Sequence, residues 1–145
     1  MKLTEHFTYE ELIFSQSAVR NGINNEPSEA VKRNLEVLAR GLERIRAAIL
    51  SPIHISSGYR SPAINKLVGG SAKSAHMDGY AADFTAPSFG TPQVIVRTLK
   101  RHGLQCDQCI MEGTWVHVSF APAMRNQFLT ATFNNGVAAY SEFKE

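Results

Sequence analysis

Apolar residues Val31, Leu35, Leu38, Leu42, Ile45 and Ile49 recur at steps of three and four. That period lines them along one stripe and predicts a long helix over residues 27–50. Pro27 opens it, Ser28 and Glu29 suit its first turn, and Pro52 stops it. Arg40, Glu43, Arg44 and Arg46 fall mostly off the stripe and form a solvated face. Upstream, Thr8-Tyr-Glu-Glu11 is a capping box, which predicts a short helix running to about Ala18. Asn21-Gly22 and Asn24-Asn25 then mark a loop.

Beyond Pro52 the pattern changes to short alternating runs. Residues 53–56 read as a strand, residues 57–62 as a turn, and 63–68 as a short helix. Gly69-Gly70-Ser71-Ala72-Lys73-Ser74 is a flexible loop. A strand is expected over 81–85, and a helix over 92–102 capped by Thr91, with Val94, Ile95, Thr98 and Leu99 turned inward. Strands over 108–111 and 115–120 form a hairpin around Gly113. Strands over 128–133 and 137–140 form another around Asn135-Gly136, which favours a type I′ turn. The order predicts an α+β fold in which a mainly antiparallel sheet packs with helices.

The chain has 145 residues, 43% of them hydrophobic, which suits a single domain over 1–145 with a substantial core. The net charge of +2 and the scattering of basic residues argue against nucleic-acid binding. No run is apolar enough for stable membrane insertion. The N-terminus lacks an apolar signal core, so synthesis in the cytoplasm without a signal peptide is expected. Cys106 and Cys109 form a C-x-x-C pair, but no other cysteine is present to complete a metal site. They are read as reduced thiols in a partly buried strand or loop.

Candidate chemistry lies in Ser74-Ala-His76-Met-Asp-Gly79-Tyr-Ala81-Ala-Asp83 and in Trp115-Val-His117-Val-Ser119. His76, Asp83 and His117 supply two imidazoles and one carboxylate, the ligand set of a catalytic zinc site with one position left for water. His76 and Asp83 are seven residues apart, about 10 Å along one continuous helix, whereas ligands of one ion must each lie about 2 Å from it. His76 is therefore expected in a loop that folds back on the strand holding Asp83, with Gly79 permitting the bend. Alternation along the second strand turns Trp115, His117 and Ser119 to one face.

The run Ser-x-His-x-x-Gly-x-Ala-x-Asp, followed by Trp-x-His, resembles the zinc D-Ala-D-Ala carboxypeptidases and the peptidoglycan peptidases related to them. The likeness extends upstream to Ser57-Gly58-Tyr59-Arg60-Ser61 and covers roughly residues 53–120; it is closest to the compact single-domain form common in phages and prophages. It implies Zn2+ on His76, Asp83 and His117, with Arg60 stabilising the developing oxyanion and Ser74 helping to position substrate. The other role open to Arg60 is an ion pair, and to Ser74 satisfaction of the loop backbone. Many relatives carry a carboxylate three residues before the last zinc histidine. Here Thr114 stands there, so Glu112 becomes the expected general base, with Asp107 and Asp78 as rivals whose other role is to orient a ligand or hold a turn. Trp115 forms a pocket wall or packs the core.

The function implied is hydrolysis of the peptide stem of bacterial peptidoglycan, as a D-Ala-D-Ala carboxypeptidase or an endopeptidase of the endolysin type. The chain is expected to work as a monomer and to act on the wall when a lysis system or phage particle delivers it. The competing function is a non-enzymatic zinc-binding module of the same fold, serving in partner binding or phage structure.

Overall fold

The computed structural model describes residues 1–145. The capping box forms as expected: Glu11 N–H donates to Thr8 Oγ1 at 3.1 Å, and Thr8 N–H to Glu11 Oε1 at 3.3 Å. The helix it starts is shorter than the pattern suggests. It breaks at Phe14, and Ser15 accepts from Ala18 N–H to cap a second helix, so α1 spans Tyr9–Ile13 and α2 spans Gln16–Asn21. The main helix, α3, spans Glu29–Ile49 with Ser28 as its N-cap; Pro27 lies just outside. Its stripe is buried at Leu35, Leu38, Leu42, Ile45 and Ile49.

Next come β1 (His54–Ser57), α4 (Pro62–Leu67), a 3₁₀ turn at Ala75–Asp78, β2 (Ala81–Thr85) and α5 (Pro92–Arg101). The chain closes with β3 (Gln108–Glu112), β4 (Trp115–Ser119), β5 (Gln127–Asn134) and β6 (Val137–Glu142). All six strands form one sheet in the order β1-β2-β4-β3-β5-β6. Every pairing is antiparallel except β3 with β5. The sequence suggests two separate hairpins; the structure joins them by this parallel pair. Helices α3 and α5 pack on one face of the sheet, where Ala82, Phe84, Cys109, Val116 and Val118 meet the helix stripes in a single core. Period-two alternation sends Asp83 and His117 to the other face. No helix is long and apolar enough to cross a membrane.

The parallel pair needs a crossover from β4 around β3, and side chains pin it. Asn126 Oδ1 accepts from Cys106 N–H at 2.9 Å. Asp107, 3% exposed, takes Arg125 in a fork, Nε to Oδ1 and Nη2 to Oδ2, both at 2.8 Å, and also accepts from Arg125 N–H. Three donors hold this buried carboxylate, with both of its oxygens engaged.

Two stability predictions come from this packing. A Cβ on Gly41, in the middle of α3, would lie 2.3 Å from Phe120 Cε2. Gly41→Ala gains about 1 kcal/mol in helix propensity but must displace a buried ring, so a net loss of about 1–2 kcal/mol is expected in denaturant unfolding. Asp107→Asn should cost about 1–2 kcal/mol at neutral pH, since the partner guanidinium is half exposed. The hydrogen bond from Arg125, opposed by burial, holds the Asp107 carboxyl below its ordinary value. Its stabilising contribution is thus complete above the unfolded value of about 3.9 and is lost as pH falls through the lower folded value. The gap between the parent and Asp107→Asn should narrow as unfolding is measured below about pH 4.

Candidate metal centre

Asp83 and His117 face one another at the middle of the sheet, as register partners on β2 and β4. His117 Nδ1 lies 3.1 Å from Asp83 Oδ1. His76 arrives from the 3₁₀ turn, which folds back over the strand as the spacing requires. Ser74 Oγ caps that turn by accepting from His76 N–H at 3.2 Å. Gly79 closes it in the left-handed conformation, φ 77°, where a Cβ would press into Val31 at 2.9 Å. Asn34 Nδ2 on α3 donates to Asp78 O at 2.8 Å. The long helix therefore holds the turn in place.

The orientation of His76 decides what the cluster can bind. Its Nδ1 lies 2.7 Å from the carbonyl oxygen of Gly58. A carbonyl can only accept, so Nδ1 carries the proton and donates it. Burial, at 1% exposure, pushes the imidazole below its ordinary value, despite the neighbouring Asp83, and so favours the neutral ring. Nε2 is then a bare lone pair, and it points at Asp83 Oδ1 at 3.2 Å. Burial disfavours the Asp83 carboxylate, but the hydrogen bond from His117 opposes that, and the carboxyl is held well below the usual range.

A lone pair aimed at a carboxylate oxygen needs a cation between them. One ligand atom from each of His76, Asp83 and His117 lies within 4.8 Å of the others. Ligands about 2 Å from a tetrahedral ion sit roughly 3.3 Å apart, close to the separations at Asp83. The backbone carbonyl behind His76 is also the usual outer support of a metal-bound imidazole. The residues present fit zinc. Gly58 O and Asn34 escape sequence reasoning because neither is a ligand, and only tertiary contact reveals what they support.

Other expected residues divide into those brought to this face and those kept from it. Arg60 makes no ion pair. Its Nη2 donates to Ser74 Oγ at 3.3 Å, and its buried Nε has no partner. Burial lowers its guanidinium pKa, with the charges of Asp83 and Glu112 opposing. Ser74 thus satisfies the loop backbone while steadying Arg60. Glu112 ends β3 opposite Trp115, and alternation turns both to the His117 side. Burial, reinforced by Asp83 and opposed by His117 and Arg60, pushes the Glu112 carboxyl above its ordinary value. The buried Trp115 indole N–H lies near that carboxylate without hydrogen-bond geometry to any partner.

Thr114 sits exposed in the β3–β4 turn. Both oxygens of Asp107 are engaged by Arg125, which makes it one half of a structural ion pair. Asp78 is exposed at the end of the 3₁₀ turn. Cys106 and Cys109 are free thiols, and both are wholly buried rather than partly so. Burial pushes Cys106 up to about 12 and Cys109 well above its ordinary value, so neither offers a thiolate.

No curated protein matches the chain. A family model described as Peptidase M15 matches residues 5–119, which include α3, Arg60, Glu112 and all three candidate ligands. With a sheet and helices that agree, the chain belongs to the Peptidase M15 family, the zinc D-Ala-D-Ala carboxypeptidase-like metallopeptidases.

Proposed function

We propose that this protein is a zinc peptidase that hydrolyses the peptide stem of bacterial peptidoglycan, with His76, Asp83 and His117 as its metal ligands. The observation that carries the reading is the bare Nε2 of His76, aimed at an ionised carboxylate that a second imidazole also faces. Zinc held by these three residues would supply Lewis acidity toward the scissile carbonyl and toward water.

The remaining roles belong to the chain. Glu112 accepts a proton from the attacking water and returns it to the leaving amine; a carboxyl raised by burial suits both transfers. Arg60, held by Ser74 and with an unpartnered buried Nε, offers donors to the charge that develops on the carbonyl oxygen. Trp115 lines the cleft beside Glu112. We place the activity at the cell wall, reached by way of a lysis system or a phage particle.

His76→Ala and His117→Ala should each abolish stoichiometric zinc, measured by metal analysis after dialysis; zinc retained in the double variant defeats the ligand assignment. Glu112→Gln should keep zinc and fold while losing about 10²–10⁴-fold in turnover of purified stem peptides. Arg60→Ala should also keep zinc and lose activity. Mass analysis of the products separates removal of a terminal D-Ala from cleavage of an internal bond such as L-Ala-D-Glu. A parent that holds zinc yet cleaves no stem peptide would point instead to a binding module.

A further inference from the structure

Strands β5 and β6 lie beyond the stretch that matches the family, yet they continue the face that carries the site. Register fixes which side chains share that face. Trp115 pairs with Glu112 across β4 and β3. The parallel register sets Met111 beside Thr130, so one step on Ala131 stands beside Glu112. Ala131 in turn pairs with Tyr140 on β6. Trp115, Glu112, Ala131 and Tyr140 therefore form one row across four strands, adjacent to the row that holds Asp83 and His117. In the next row outward, Phe133 pairs with Ala138.

The row has a definite shape. Ala131 is small and only 6% exposed, while Tyr140 and Phe133 stand 56% and 50% exposed on either side of the small residues. Register sets Tyr140 on this face one strand beyond Ala131, and its hydroxyl is raised first by burial and then by the charge of Glu112. Two half-exposed aromatic side chains on the β5–β6 hairpin thus extend this face past Glu112, away from the metal ligands. Such rings present apolar area at small cost in side-chain entropy.

We propose that this face of the β5–β6 hairpin is the outer wall of the peptide-binding cleft, where Tyr140 and Phe133 seat the part of the stem peptide that runs past Glu112. The inference rests on the peptidase reading of the site. The occupant is the substrate itself because the wall is continuous, through Ala131 and Glu112, with the row that borders His117. Apolar side chains of the peptide, such as alanine methyl groups, pack on the ring faces, and polar backbone meets Glu112 and Arg60.

Trp115 is the single tryptophan and stands in the same row, so its emission reports occupancy of the cleft. The test uses zinc-loaded Glu112→Gln protein titrated with a synthetic stem pentapeptide ending in D-Ala-D-Ala. Tyr140→Ala and Phe133→Ala should each raise Kd by about five- to tenfold, with zinc content and melting temperature unchanged. Tyr140→Phe keeps the ring and should bind within about twofold of the parent. In the active background the alanine variants should raise KM with little change in kcat, the mark of lost uniform binding.

An unchanged Kd in the double alanine variant, with the parent binding normally, overturns the wall alone. So does a loss in Tyr140→Phe as large as in Tyr140→Ala, which would give the contact to the hydroxyl. A parent that neither binds nor cleaves the pentapeptide defeats the peptidase reading and the wall together. A concentration-dependent dimer that Phe133→Ala dissociates assigns the surface to a second copy of the chain and overturns the proposal.

Discussion

The hydrogen bond from His76 Nδ1 to the Gly58 carbonyl is the contact on which the site depends. It selects the tautomer, aims the free nitrogen at Asp83, and ties the loop before β2 to the chain that follows β1. Its acceptor is itself held in place. Tyr59 N–H donates to Leu12 O at 2.7 Å, and any Cβ at residue 58 would fall 2.2 Å from that same oxygen. A backbone carbonyl in α1, far from the metal ligands in sequence, thus sets where an imidazole points. The site is the meeting of an N-terminal helix, a long helix and the middle of a sheet.

Two carboxylates sit near one another on this face, and their surroundings push them apart. Asp83 lies between two imidazoles and is held low; Glu112 is half-buried with weaker compensation and is pushed upward. One keeps a fixed negative charge, as a ligand must, while the other is able to gain and lose a proton. That division is the usual route by which a single cleft supports both tasks. Arg60 lies within the field of both and balances their charge without closing an ion pair with either.

Much of this was legible in the sequence where the signal is local. The α3 stripe, the capping box, the Asn135-Gly136 turn and the His-Asp motif each lie within a few residues of what they specify. The break at Phe14 was hidden because Ser15 caps a second helix inside a pattern that otherwise continues. The parallel β3–β5 pair depends on Asp107 meeting Arg125, eighteen residues on, and Asn126 meeting Cys106. The same separation made Asp107 resemble a free base when it is a strut. Tyr140 could not be seen beside Glu112, because that adjacency exists only after three strands have taken their register.

The pairing of Asp83 with His117 spans 34 residues of chain and sits on central strands. Local structure alone cannot assemble it: β2 and β4 must already be neighbours. The unfolded chain therefore has no preformed three-ligand site, and an ion held by these residues favours the folded ensemble by mass action. The free metal concentration then becomes a variable of conformational stability as well as of chemistry. A chelator would lower the melting temperature even of a variant with no activity to lose, and the chain would be sturdiest where the ion is plentiful.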